Sequence, residues 1–451
     1  MNSHTTTFDS RRNVHIHTKT PVSATAPVPR VLDAVWLREL CLEAGADDAG
    51  FVELARPALA EERPHIERAF PRTRSLISFV LRMNRDNVRS PARSVANAEF
   101  HHTGDEVNSV ARRITAALER AGVRALNPPM AFPMEADRWM TERMWVVAHK
   151  PIAVAAGLGH MGIHRNVIHP RFGNFVLLGT ILVAAEISEY SKELDYNPCL
   201  TCKLCVAACP VGAIGADGTF NFSSCYTHNY REFMGGFADW VEAIADSRNG
   251  LDYRRRVKDS ESVSTWQSLG FGPNYKAAYC MAVCPAGEDV IGPYLASKKD
   301  FADEVMRPLQ AKREPVYVIR GSDAEAHVQK RYPHKTVRHV RNSLRPRSIA
   351  ALLQGMPLTF QRQAAGKLEA TYHFVFMGSE QVEATVVIRS GEMTIENGLQ
   401  GRPNIKVTAD SETWLGFLAK EKNLLWALLA RRVKLRGNPK WLLAFGRCFP
   451  S

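Results

Sequence analysis

The sequence predicts a multidomain protein, α/β in its first part and α+β in its last. Three observations carry this. Helical and strand-like patterns alternate from about residue 30 to 195. Seven of nine cysteines then crowd into residues 199–284. Long alternating strands followed by apolar helices fill the last hundred residues. At 451 residues the chain is too long for one ordinary core.

The expected order is a disordered tail at 1–29, an α/β core at 30–195, a cysteine module at 196–300, a basic bridge at 301–345 and an α+β domain at 346–451. The tail is polar and rich in Thr, Ser and Pro, which disfavours folding alone. Arg11-Arg12 is followed by "NVHIHTKTP", with no apolar h-region, so an export signal is not expected and a cytoplasmic location is. The longest apolar run, "FVLLGTILVAA", is shorter than the ~20 residues of a membrane span.

In the α/β part, "VLDAVWLRELCLEAG" has helical spacing and stops at a glycine, and "DEVNSVARRITAALERAG" repeats that pattern up to Gly122. "AGFVEL", "SLISFVLRM" and "VRALN" suit strands. The bridge holds a strand-like "PVYVIRG" and a helix-like "SDAEAHVQKRY". Between Lys312 and Arg347 it sets ten Lys/Arg against three acids, the densest part of a net charge of +12. Such a stripe suits solvent, an acidic electron donor or RNA.

The cysteines speak most clearly. "CLTCKLCVAACP" places Cys199, Cys202, Cys205 and Cys209-Pro210 at the spacing C-x2-C-x2-C-x3-C-P. Three thiolates at steps of three wrap three corners of a cubane, and the fourth serves the other cluster of a pair. Structural zinc prefers two separated C-x-x-C pairs and fits poorly. The downstream "NYKAAYCMAVCP" supplies Cys284-Pro285. One [4Fe–4S] cluster is therefore expected on Cys199, Cys202, Cys205 and Cys284. A second iron–sulfur cluster is left with Cys209, Cys225 and Cys280, because Ala277 stands where a further cysteine belongs. It would be [3Fe–4S], [4Fe–4S] with a non-cysteine ligand such as His228, Tyr226 or Tyr279, or vestigial. Cys41 and Cys448 read as packing residues.

"AVAAGLGHMGIHRNVIHPRFGNFVLLG" precedes the clusters. Its glycines fit a loose G-x-G-x-x-G, but no acidic residue completes a dinucleotide fold. Glycine-rich segment, four-cysteine run and Cys-Pro ending, in this order, resemble the cobalamin-dependent reductase superfamily of epoxyqueuosine reductases and reductive dehalogenases, over residues 30 to about 290. The resemblance implies a nitroreductase-like core holding a corrinoid beside a two-cluster ferredoxin-like module, with single electrons relayed through the clusters to cobalt. It implies corrinoid contacts at Gly157, Gly159, Gly162, Asn166, Pro170, Gly173 and Tyr226, the glycines by letting backbone approach the cofactor. The catalytic Asp of epoxyqueuosine reductases has no counterpart before the glycines. Asp137, Glu142 and His149 are the candidate proton donors there, each also readable as a surface or salt-bridged residue.

"LEATYHFVFMGSEQVEATVVIRSGEMTIENG" alternates about two turns, and "NIKVTAD" leads into "SETWLGFLAKE", with Asp410 or Ser411 as helix cap. "NLLWALLARR", "VKLRGNPK" and "WLLAFGRCF" read as apolar helices. This stretch resembles the sterol carrier protein domain, which implies a five-stranded sheet and an apolar tunnel. Trp414, Phe417, Leu418, Trp426, Leu429 and Leu442 would line the tunnel or simply pack a core.

The expectation is thus an oxidoreductase, an iron–sulfur, cobalamin-dependent reductase of a small, hydrophobic substrate, served by a ferredoxin or flavodoxin. The alternatives are an epoxyqueuosine reductase acting on tRNA, a non-catalytic electron-transfer protein, and a lipid-binding carrier with iron–sulfur clusters.

Overall fold

The computed structural model describes residues 31–139, 142–199 and 202–450. The tail expected at 1–29 lies outside them. The first helix, α1 (Ala34–Glu43), starts where Asp33 Oδ1 accepts from the Trp36 N–H at 2.8 Å. It turns Leu37 and Cys41 inward.

A four-stranded sheet follows, built from β1 (Asp48–Glu53), β2 (Ser75–Arg82), β3 (Ala125–Leu126) and β4 (Val176–Val183), in the order β1-β2-β4-β3 with antiparallel neighbours. Residues 75–81 of β2 are all buried because both faces are covered. Ile77, Phe79 and Leu81 pack on α2 (Arg93–Arg120). Leu76 and Val80 pack toward α3 (His149–Ala155). Helix α2 begins well before the stretch that reads as helical. Its early turns bury Ala96, Asn97, Phe100, Thr103 and Gly104 at helical spacing, and their polar members mask the periodicity.

The cysteine segment is helical too: α4 (Leu204–Ala208), α5 (Phe222–Asn229), α6 (Met234–Ala245), α7 (Asp259–Phe271) and α8 (Tyr279–Ala282). The bridge is a β-α-β unit. Strand β5 (Pro315–Val318) leads to α9 (Asp323–Arg331) and to β6 (Thr336–His339), parallel to β5. Val316, Val318, Val328 and Tyr332 share one hydrophobic cluster with Cys205, Cys209, Tyr279 and Val283. The Tyr279 hydroxyl donates to Glu314 at 2.8 Å, and Glu314 pairs at 2.8 Å with the buried Lys335.

Part of the basic stripe is paired within the fold, while Arg313, Arg320, Lys330, Arg331, Arg341 and Arg347 are exposed. Arg338 pairs with Glu261 at 2.7 Å. Arg341 pairs with Glu242 and Asp246 at 3.0 and 2.7 Å, and Arg345 with Glu242 at 3.0 Å.

The C-terminal sheet comprises β7 (Ala370–Met377), β8 (Val382–Arg389), β9 (Glu392–Asn397), β10 (Ile405–Asp410) and, after α10 (Ser411–Leu418) and α11 (Leu424–Leu429), β11 (Val433–Gly437). The order is β9-β8-β7-β10-β11, with β7 and β10 parallel. "VKLRG" is thus a strand and not a helix: Val433 is buried and Leu435 half-buried, while Lys434 and Arg436 stand exposed. Tyr372, Phe374 and Phe376 on one side of β7 pack with Trp414 and with Phe445 of α12 (Lys440–Arg447). Asp410 Oδ2 caps α10 by accepting from the Thr413 N–H at 2.9 Å.

Candidate functional site

The cysteines gather in two sets, seen in how their thiols act on one another. Burial raises the Cys205 thiol pKa, and Cys280, Cys284, Cys202 and Cys199 around it raise it further. Cys284 is pushed up to about 12 by burial, with Cys202 and Cys199 adding to the rise. In the other set, burial raises Cys225, and Cys280 and Cys209 add to it. Cys280 is pushed up to about 12 by burial and then by Cys209. Cys284 follows the short helix α8 and stands with the first set, while Cys280, one turn earlier, acts on Cys205 and Cys284 as well as on Cys225 and so lies between the two sets.

Burial keeps these thiols protonated, and a metal that binds them would displace the protons, since the thiolate is the ligand. Among the described residues no three His, Cys, Asp or Glu side chains close on a single ion position. Ligands of a cluster bind separate irons, so the spread sets suit iron–sulfur chemistry in donor type. Cys209 is further held by its own turn: the Ala213 N–H donates to Cys209 Sγ at 3.3 Å.

At Ala277 the backbone is tied to a side chain. Its N–H donates to Asn229 Oδ1 at 2.9 Å, at the end of the helix that carries Cys225. Of the three residues expected as substitute ligands, His228 turns its Nδ1 to the Tyr317 N–H at 3.3 Å and Tyr279 is bonded to Glu314. Tyr226 stacks between Phe222 and Tyr230.

Three cations border the cysteines, and the sequence reading passed over all of them. Arg89 lies over the Phe175 and Phe301 rings, and its Nε donates to the Ala282 carbonyl at 3.2 Å. Arg93 lies over the Tyr279 ring. Nη2 of both, and Nε of Arg93, are buried without a hydrogen-bond partner. Burial lowers both pKa values, against which Cys284 supports the charge of Arg89, and Tyr279, Glu314 and Cys280 that of Arg93. Lys150 donates to the Arg165 carbonyl at 2.5 Å and to Asn166 Oδ1 at 3.0 Å. It is exposed by area, yet desolvation lowers its pKa, with Cys280 and Cys225 opposing. Its ammonium therefore lies near Cys280 and Cys225 of the second set. The visible signal was its place in "KPIAVAAGLG".

The glycine-rich segment does something other than expected. A Cβ on Gly157 (φ +72°) would meet the Lys192 carbonyl oxygen at 2.4 Å, and one on Gly159 (φ +156°) that of Ile168 at 2.4 Å. Gly162 is closed off by His164 and Ile168, and Gly173 by Ala286. Asn166 holds Lys150, and the Pro170 carbonyl accepts from the Glu288 N–H at 2.9 Å. These residues let the chain approach itself. Only the Tyr226 hydroxyl of the corrinoid set is buried without a partner, so the set as a whole does not form a corrinoid cradle.

The candidate proton donors have structural partners or none near the cysteines. Asp137 is exposed on a short turn, and Glu142 pairs with Arg68 on the surface at 3.2 Å. His149 is half-buried by area. Its Nδ1 meets Thr180 Oγ1 at 2.9 Å and its Nε2 the Pro129 carbonyl at 3.2 Å, and desolvation holds its pKa down to about 4.

A second candidate site is a cavity of about 110 Å³ in the C-terminal domain. Phe374, Phe376, Trp414, Leu418 and Phe445 line it, with Arg341, Arg345 and Lys420 among its polar residues. Trp414 and Leu418 were expected there. Trp426 and Leu429 were too, but they face solvent, because α11 turns Ala427 inward instead.

Comparison with known proteins finds relatives for two parts of the chain. Residues 351–450 match the SCP-2 sterol transfer family. An epoxyqueuosine reductase of Gloeobacter violaceus is 26% identical over 203 residues, which is 45% of this chain and 60% of that protein. One from Vibrio cholerae is 32% identical over 89 residues, 20% of this chain and 24% of that protein. Among solved structures, a catabolic reductive dehalogenase aligns with a TM-score of 0.38 at 16% identity, over 60% of this chain and 34% of that one. The epoxyqueuosine reductase of Streptococcus thermophilus aligns with a TM-score of 0.34 at 16% identity, over 60% and 74%. The chain spans between a quarter and three fifths of the two curated relatives' lengths. It is similar to epoxyqueuosine reductases over part of its length and carries a domain of the SCP-2 sterol transfer family at residues 351–450, the fusion its motifs resemble.

Proposed function

We propose that the protein is an iron–sulfur oxidoreductase that delivers single electrons to a small, hydrophobic substrate. The observation that carries this reading is the pairing of two cysteine sets, crossed at Cys284 and bordered by Arg89, Arg93 and Lys150. Reduction adds negative charge to a buried cluster, and fixed cations beside it offset that charge. Cys199, Cys202, Cys205 and Cys284 would hold a [4Fe–4S] cluster, and Cys209, Cys225 and Cys280 a second with one corner free of cysteine.

Electrons enter from a ferredoxin or flavodoxin. The Lys150 Nζ is the proton source for the reduced product, because its lowered pKa eases release and it lies near Cys280 and Cys225. A corrinoid, as in the reductases the motifs resemble, would supply a low-potential cobalt centre. The residues carried over for it are packed on the chain itself, so no step is assigned through it. The C-terminal cavity suits the apolar body of a substrate.

The rival substrate is epoxyqueuosine in tRNA, after the name of the relatives. The ion pairs of Arg338, Arg341 and Arg345 take up part of the basic stripe that would meet RNA and weigh against it.

Anaerobic reconstitution, with iron, sulfide and cobalt measured on one sample after addition of hydroxocobalamin, tests the reading. About seven to eight irons per chain are expected. Zinc in place of iron would sink it, and cobalt without retention would remove the corrinoid alone.

A further inference from the structure

Helix α7 is polar on the face it buries and apolar on the face it shows. Ser264 and Ser268 donate to the buried Glu232, which also holds Lys276 and, at 2.8 Å, Asn274. On the other side Val263, Trp266 and Leu269 are 60%, 64% and 64% exposed, at helical spacing. Phe271 follows, 71% exposed, with its ring edge-on to that of Trp266 at 6.2 Å. The apolar surface continues beyond α7. Val263 shares a groove with Ile244 of α6 and with Tyr253 and Arg254 of the short helix Gly250–Arg256, on which Leu251 is also exposed. Single exposed leucines are ordinary, but so many large apolar side chains on neighbouring helices mark an interaction surface.

The charge around it selects an acidic partner. Arg248, Arg254, Arg255, Arg256 and Lys258 are all exposed. Of the nearby acids, Asp246 is taken by Arg341, Asp252 by Arg256 and Glu261 by Arg338. That leaves Arg254, Arg255 and Lys258 balanced by Asp259 alone. A second copy would set these cations against themselves. Residues 1–30 carry Arg11, Arg12, Lys19 and Arg30 against Asp9, again the wrong sign. RNA matches the charge but offers no apolar body to Leu251, Val263 and Leu269. The surface is also tied to the second cysteine set. Cys225 and Cys280 flank this stretch of chain, and Glu232 fastens α7 to the segment Asn274–Lys276 that leads to Cys280.

We propose that α7, with Arg254 and Arg255, is the docking surface for an acidic one-electron carrier protein that serves the second cysteine set. This rests on the iron–sulfur oxidoreductase reading above and names where its electrons enter. Carboxylates of the carrier meet Arg254, Arg255 and Lys258, while its apolar rim covers Trp266, Leu269 and Phe271. Steering by charge makes such an encounter fast and salt-dependent, which suits a partner that must leave after each transfer. In the transfer the reduced carrier loses one electron and the cluster on Cys209, Cys225 and Cys280 gains it. No bond is made or broken.

The test uses the full chain after anaerobic reconstitution, with a plant-type [2Fe–2S] ferredoxin and a flavodoxin as probes. Calorimetry is expected to show binding of at least one carrier, weakened in high salt. Arg254→Glu with Arg255→Glu, and separately Trp266→Ser with Leu269→Ser, should each weaken it about tenfold, with unchanged circular dichroism and iron content. Rapid mixing with the reduced carrier should show cluster reduction slowed by a similar factor in both variants. Reduction by the methyl viologen radical, which needs no docking surface, should keep its native rate. A native chain that binds neither carrier overturns the proposal, as do variants that bind and are reduced like the native chain. So does a native dimer that these substitutions dissociate. Calorimetry reads docking whether or not iron is bound, and methyl viologen reads the clusters without docking, so the proposal and the redox reading fail separately.

Discussion

Gly173 and Gly287 stand back to back where the glycine-rich segment meets the chain just past Cys284. A Cβ on Gly287 would lie 2.4 Å from the Gly173 nitrogen, and one on Gly173 would lie 2.1 Å from the Ala286 carbonyl oxygen. The position of Cys284 is thus set by a contact that admits no side chain.

Gly173→Ala is expected to displace residues 284–287. The left-handed backbone (φ +65°) alone costs about 1–2 kcal/mol, and the clash adds to it. Iron content should fall by the share of the first cluster. Gly122→Ala is the control, since its φ of +78° carries the same conformational cost with nothing within 4 Å. Equal iron loss in both would remove the special role of Gly173.

Ala277→Cys should complete the second set. Iron per chain rises or stays level, and any paramagnetic signal of an oxidised three-iron cluster disappears from the electron paramagnetic resonance spectrum. An unchanged spectrum and iron content would show that position 277 does not face the cluster.

Lys150→Met is expected to lower turnover by about 10²-fold with cluster content intact, and Lys150→Arg to recover part of it. A proton donor acts only while protonated, so the native rate should fall as pH rises through the Lys150 pKa. That fall comes below the ordinary lysine value of 10.5, because burial lowers this pKa. A rate that is flat on the alkaline side, in the range where the enzyme stays folded, would exclude Lys150 as donor.

Arg89→Gln and Arg93→Gln should each shift one reduction potential to more negative values, since each removes a buried cation near Cys284 or Cys280 respectively. Potentiometric titration followed by electron paramagnetic resonance separates the two clusters. Unmoved potentials would leave these arginines with packing roles only.

Acid should destabilise the fold before carboxylates protonate. His149 and His164 are held neutral, each with its pKa lowered to about 4 from an ordinary 6.5, chiefly by burial. Protonation therefore favours the unfolded chain. Their contribution is whole above about pH 6.5 and is lost as pH falls toward 4, by up to about 1.4 kcal/mol per unit for each histidine. Thermal unfolding at pH 7 and pH 5 measures this, and an unchanged Tm would contradict it.

Much of this was legible in the sequence where the pattern is local. The spacing of Cys199 to Cys209 is a local fact, as are the β-branched run of β2 and the alternation of β7 and β8. The early turns of α2 were not legible, because Asn97 and Thr103 are buried polar residues that break the apolar count. Strand β11 was missed because five residues between apolar helices read either way until β10 pairs with them. Trp426 looked like a lining residue because composition does not say which side of a helix faces the sheet. The roles of Arg89, Arg93 and Lys150 depend on contacts from distant segments, which no spacing records.

The link from Tyr279 through Glu314 to Lys335 bears on how such a chain is assembled from parts. A gene cut after residue 300 would strand the Tyr279 hydroxyl and uncover the wall of the cluster core that Val316, Val318 and Val328 supply. The seam at which the carrier-like domain can be exchanged therefore lies beyond residue 345, because the cysteine segment needs residues 314–335 for its own packing.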